Sequence, residues 1–123
     1  MVELTLENKL KKIIVVGDRV LIRPKQQNEK TKSGLYLPPS VQEKEKVQSG
    51  YVMKVGPGYP IPLHNEIDEP WKEEEVKYIP LQAKEGDIAL FLQKGAFEIM
   101  LEDQKYFIVP QSSILMLERE EEL

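Results

Sequence analysis

The stretch GDIALFLQKGAFEIMLEDQKYFIVPQSSILMLE, residues Gly86 to Glu118, decides the fold class. A turn signal at Gly86-Asp87 opens it, and Ile88, Leu90 and Leu92 then recur at every second position. That period of two belongs to a strand with one buried face. AFEIML repeats the pattern, with Phe97, Ile99 and Leu101 alternating against Glu98, and Glu102 to Lys105 reads as a hairpin turn. Tyr106 to Pro110 and Ile114 to Glu118 are continuous apolar runs, which suit strands covered on both faces. In a small barrel the outer face of such a strand is normally wet. The simplest cover is another copy of the chain.

The same grammar extends toward the N-terminus. SGYVMKVGPG (Ser49 to Gly58) places Tyr51, Met53 and Val55 in alternation with Val52 and Lys54, then closes on a Gly-Pro-Gly turn. KKIIVVGDRVLIRP (Lys11 to Pro24) is rich in β-branched residues and reads as one or two strands interrupted at Gly17-Asp18 and ended by Pro24. VELTLENKLKK permits one short helix, too short to be stable alone. Many short strands with closely spaced turn signals predict an all-β fold, a small barrel in a single domain spanning residues 1–123. Two irregular stretches interrupt it. Tyr59 to Lys84 holds four of the nine prolines and is expected to be irregular, with one short edge strand within Glu75 to Gln82. Asn28 to Tyr51 is polar on both sides of a small apolar island, Leu35-Tyr36-Leu37. A long insertion in a small domain is usually a working part.

Composition removes several classes of function. The chain has 123 residues, 41% hydrophobic and 31% charged, with a net charge of −4. A mildly acidic chain lacks the electrostatic footprint of a nucleic-acid binder. No apolar run approaches a membrane span, and the N-terminus does not have the layout of a signal peptide. With no cysteine, thiol catalysis, disulfides and cysteine-ligated zinc are excluded, and a reducing cytoplasm is the expected compartment. The single histidine, His64, in a proline-rich loop, reads as solvated. Ser112-Ser113 reads as a turn, Glu73-Glu74-Glu75 and the tail EREEEL as solvated charge, and Trp71 as a packing anchor. Gly56-Pro57-Gly58 lacks the spacing of a phosphate cradle. Nothing here composes a nucleophile, base or metal site.

Four blocks, in order, carry a resemblance to the GroES-type co-chaperonins, the chaperonin-10 family. GDRVLIRP (Gly17 to Pro24) resembles the family's opening strand, and KTKSGLYLPPSVQEK (Lys30 to Lys44) its mobile loop. SGYVMKVGPG resembles the family's next strand and turn, and Gly86 to Glu118 the long C-terminal meander. The chain departs from the family at three points. The loop tip is Leu-Tyr-Leu rather than three aliphatics, Val15 stands where the family has proline after an N-terminal extension, and the stretch between Gly58 and Gly86 is longer than usual.

The resemblance implies a GroES-like barrel with a mobile loop at about residues 26–49 and a roof hairpin or loop at about 57–85. It implies a non-enzymatic lid without a cofactor of its own, assembled with copies of itself as a heptameric ring. Loops centred on Gly34, Leu35, Tyr36 and Leu37 would grip the apical domains of a large GroEL-type chaperonin, which binds and hydrolyses ATP, and unfolded polypeptide would be enclosed. It further implies a ring interface between the first strand of one copy, Ile13, Ile14, Val15 and Val16, and the last strand of its neighbour, Ile114, Leu115, Met116 and Leu117. The loop's own chemistry agrees. In an extended backbone Leu35 and Leu37 point one way and Tyr36 the other, Gly34 permits a tight turn, and Pro38-Pro39 stiffen the chain beyond the tip. Read without the family, Leu35 to Leu37 is more readily a short strand packed on the domain's own core. The competing functions are a ring-forming module of this fold that acts independently of a chaperonin, an enzyme related to the barrel of alcohol dehydrogenases, and an oligonucleotide-binding barrel. The last two lack, respectively, a nucleotide domain with zinc cysteines and basic strands carrying exposed aromatics.

Overall fold

A computed structural model describes residues 10–25, 38, 46–62 and 76–119. Among these residues the strands are β1 (Arg19–Pro24), β2 (Val47–Val55), β3 (Tyr59–Pro62), β4 (Val76–Ile79), β5 (Ile88–Leu92), β6 (Phe97–Leu101), β7 (Gln104–Pro110) and β8 (Ile114–Glu118). A 3-10 turn, Gln111–Ser113, joins β7 to β8, where the serine pair reads as a turn. The fold is all-β and antiparallel. Six strands form one sheet in the order β6-β7-β1-β2-β5-β8, and β3 and β4 form a separate hairpin.

The large sheet curls on itself. Two strands, β1 and β2, separate β7 from β5, which in a flat sheet sets β7 and β5 about 14 Å apart. Yet the rings of Phe91 on β5 and Phe107 on β7 lie 5.6 Å apart, tilted by 57°. They meet across a core made with Val20, Ile22, Val52, Ala89 and Val109. Leu81 and Ala83, on the return from β4 to β5, close it. Burial of each large side chain there is worth about 1.5–3 kcal/mol.

A bulge decides which β2 residues reach this core. The β1–β2 register runs Leu21 to Lys54, then Ile22 to Val52, so Met53 is the extra residue. Strict alternation pairs Met53 with Val55 on one face. The bulge instead turns Met53 to the outer face and leaves Val52 and Val55 on the inner one. The β6–β7 turn is tighter than its four-residue reading. Leu101 pairs with Gln104, so the loop is Glu102-Asp103, and both residues take positive φ (49° and 62°), as a two-residue hairpin of this hand requires.

The outer face of β7 is covered, and by the chain itself. Leu10, Ile13 and Val15 pack with Leu21, Tyr106 and Ile108 in a second apolar cluster. The continuous apolar run Tyr106 to Val109 thus has two dry faces within one chain, and another copy is not needed to cover it. Of the short helix expected near the N-terminus, Leu10 and Lys11 are helical, and residues 1–9 lie outside the described residues. Ile13 to Val16 belongs to no helix or strand and pairs with no strand of its own chain among the described residues.

The proline-rich stretch is more regular than its composition suggests. Tyr59 pairs with Ile79, Pro60 with Tyr78, Ile61 with Lys77 and Pro62 with Val76. Prolines are tolerated because each strand of a two-stranded ladder has a free side. His64 and Trp71 lie outside the described residues. Among the described residues no helix is long and apolar enough to cross a membrane.

Candidate functional site

The sheet leaves β8 at one edge, hydrogen-bonded to β5 alone among the described residues. Ile114 and Leu117 turn inward against the main core, while Leu115 and Met116 are 55% and 42% exposed. An apolar strand with one free row of backbone groups invites pairing with another strand. At the other end of the chain, Ile13 to Val16 shows the matching alternation. Ile13 and Val15 pack inward on the outer cluster, and Ile14 and Val16 project outward, 85% and 63% exposed. The segment is held from behind. Lys54 Nζ donates to the Ile13 carbonyl at 2.6 Å, and the Ile13 amide donates to the Leu10 carbonyl at 3.1 Å.

The eight expected ring-edge residues therefore divide into four that anchor and four that are offered to solvent. Of the expected loop site, Gly34, Leu35, Tyr36 and Leu37 lie outside the described residues.

A polar clamp that sequence reasoning missed flanks β8. Arg119 Nε and Nη2 donate to Asp87 Oδ1 and Oδ2 at 2.8 and 2.6 Å, and Nη2 also donates to the Gln82 carbonyl at 2.9 Å. Burial of Asp87 tends to raise its pKa. Hydrogen bonds from Arg119 and the Lys84 amide, with the positive charges of Arg119 and Lys84, outweigh that and hold the carboxyl below its ordinary 3.8. On the other side of β8, Gln111 Oε1 accepts from the amides of Gln82 and Ala83 at 2.6 and 3.1 Å. Both residues thus fasten one dipeptide at the foot of the β3–β4 hairpin. Arg119 is hidden in sequence within an acidic tail, and Asp87 beside a glycine that explains it as a turn residue. Among the described residues no group of three or more metal-ligating side chains stands together.

The curled sheet, its apolar edge strand β8, the unpaired apolar segment Ile13 to Val16 and the detached hairpin fit the expected architecture. A family model described as chaperonin 10 Kd subunit matches residues 12–117. The chain belongs to the chaperonin 10 family. Curated relatives named co-chaperonin GroES agree. The protein from Rhodothermus marinus is 36% identical over 110 residues, covering 89% of this chain and 95% of the relative. That from Thermus thermophilus is 34% identical over 100 residues, covering 81% and 85%. That from Listeria innocua is 36% identical over 104 residues, covering 85% and 96%. Two residues with structural roles here, Leu10 and Arg119, lie just outside the stretch matched by the chaperonin 10 model.

Proposed function

We propose that this chain is a co-chaperonin, a non-enzymatic lid that assembles as a heptameric ring and binds the apical domains of a large GroEL-type chaperonin. Membership of the chaperonin 10 family carries this reading. The lid encloses non-native polypeptide, assists its folding in the cytoplasm and modulates ATP hydrolysis by the partner. Two exposed apolar edges on one chain support the ring, because Ile14 and Val16 of one copy suit Leu115 and Met116 of the next. A head-to-tail contact of that kind closes when its rotation allows.

The grip is assigned to Gly34, Leu35, Tyr36 and Leu37. Burying each leucine yields about 1.5–3 kcal/mol. Ordering each loop residue costs about 1–2 kcal/mol. One loop therefore binds weakly, and a ring of loops binds firmly through effective concentration. That balance suits a lid that leaves in every cycle.

The test combines the protein with the large chaperonin of its own organism and ATP. Wild type is expected to form a complex on sizing and to change ATP turnover. Leu35→Ala/Leu37→Ala is expected to remain a ring and do neither. If wild-type rings form but neither bind nor alter turnover, the fold serves as a ring-forming module with another partner.

A further inference from the structure

Strand β6 presents an apolar row on the outer side of the sheet. Directly opposed residues of an antiparallel ladder share a face. Phe97 pairs with Ile108, which pairs in turn with Leu21, and Ile99 pairs with Tyr106. Leu21, Tyr106 and Ile108 belong to the outer cluster. Phe97, Ile99 and Leu101 therefore look out on that same face. Ile99 and Leu101 pack against the cluster, whereas Phe97 is 69% exposed. In the strand order β6 is also the sheet edge opposite β8. Natural proteins commonly cover such an edge with a helix or loop.

The chain that precedes the sheet heads toward this row. Ile13 is held over β2, where its carbonyl accepts from Lys54 and its side chain packs on the outer cluster, as does that of Met53. Earlier in the chain, Leu10 is buried with Leu21 of β1 and Tyr106 of β7. A line from β2 through β1 and β7 reaches β6 next. Leu10 and Lys11 are helical. In MVELTLENKL, Val2, Leu6 and Leu10 recur at four-residue spacing, so a helix continued back from Leu10 carries all three on one stripe. One turn advances about 5.4 Å, close to the roughly 4.8 Å between neighbouring strands. Leu6 then falls on β6, beside Phe97 and Ile99. A helix this short is marginal alone, and the apolar row supplies the packing it needs.

We propose that residues 2–9 form a strap that continues the Leu10 turn as a helix across β6, with Leu6 seated on Phe97. The occupant of the exposed β6 face is thus a segment of the same chain. The strap shields the one sheet edge that the ring contacts at β8 and at Ile13 to Val16 leave unused, and it does not depend on the ring.

The chain has no cysteine, so Leu6→Cys/Phe97→Cys supplies its only thiols, and Leu6→Cys/Ile99→Cys probes the adjoining position. Mild oxidation of the full-length protein is expected to close a disulfide within one chain in at least one of these pairs. It is read as a faster-migrating monomer on a non-reducing denaturing gel, and no single-cysteine variant is expected to give it. Separately, Leu6→Asp is expected to lower the thermal midpoint of the subunit by about 4 °C. Leu4→Asp, on the opposite side of the helix, is expected to leave it unchanged. Failure of both pairs to close overturns the strap, and so does a midpoint unmoved by Leu6→Asp. Disulfides that form only between chains give the β6 face to a second copy and also overturn it. Equal losses from Leu4→Asp and Leu6→Asp overturn the helical placement, because in an extended segment both side chains point the same way.

Discussion

Arg119 and Asp87 form a two-pronged ion pair in which the carboxylate is 2% exposed and the guanidinium side chain 35%. The pair fastens the end of β8 to the turn that starts β5, and it reaches the hairpin foot through the Gln82 carbonyl. A buried carboxylate that loses its cation is left uncompensated. Because Arg119 is a third exposed, the cost of Arg119→Ala falls below the fully buried case, at about 2–3 kcal/mol. Urea unfolding of the isolated subunit measures it.

The same pair sets an acid limit. The native pKa of Asp87 lies below its ordinary 3.8, so the folded state favours the ionised form. Its contribution is fully present above the unfolded value and is lost as pH falls through the lower native value. Stability differences between wild type and Asp87→Asn are therefore expected to be constant from pH 5 to 8 and to shrink below about pH 4. Denaturant titrations at pH 3, 4 and 7 check this, and a difference that persists unchanged at pH 3 contradicts it.

Leu10 lies outside the family match yet is a buried member of the outer cluster. Leu10→Ala is expected to cost about 2 kcal/mol, the lower end for a buried leucine because the site is at the cluster margin. Since the Leu10 carbonyl accepts from the Ile13 amide, the edge segment should loosen too. Ring assembly should then require a higher protein concentration, measured by dilution and sizing.

Neighbouring positions in the edge segment should behave in opposite ways. Ile14→Asp places a charge on an exposed site and is expected to change subunit stability by no more than about 0.5 kcal/mol while abolishing the ring. Ile13→Asp faces the outer cluster and is expected to lower the stability of the subunit itself. Sizing and thermal melting separate the two.

Tyr106 is fully buried, and its hydroxyl has no hydrogen-bond partner among the described residues. Tyr106→Phe removes an uncompensated desolvation cost and is expected to stabilise the subunit by about 1 kcal/mol. Burial also raises the Tyr106 pKa above 10.0, with Arg23 opposing it. A raised native value means that wild type loses stability as pH rises past the unfolded value. Its deficit against Tyr106→Phe should therefore widen above pH 10.

Apolar patterning makes β1, β2 and β5 to β8 legible in the sequence, β2, β5 and β6 by alternation and β1, β7 and β8 by β-branched or continuous apolar runs. In β5, however, it is Ala89 and Phe91, not the alternating Ile88, Leu90 and Leu92, that reach the core. The features that resist reading are set by long-range geometry. The bulge at Met53 has no local signature, since it depends on the register against Leu21 and Ile22. The β3 ladder is concealed by Pro60 and Pro62, residues that deter central strands but not an isolated hairpin. The outer face of β7 reads as needing a second copy because nothing in the sequence ties Leu10 to Tyr106. Arg119 is lost among glutamates whose average character is solvated. Which of the eight expected edge residues pack inward and which face solvent needs the backbone direction. The loop residues Gly34 to Leu37 lie outside the described residues.

The antiparallel pairing of Val20 with Val109 has a consequence in time rather than space. β1 is synthesised well before β7, and both its apolar faces need β7. Until Tyr106 to Val109 arrive, Ile13 to Val16 and Val20 to Ile22 remain an uncovered β-branched run, the kind of segment that aggregates. Closing a contact between such distant residues is intrinsically slow. The order of synthesis and the pairing of β1 with β7 together leave this apolar segment uncovered until the sheet closes.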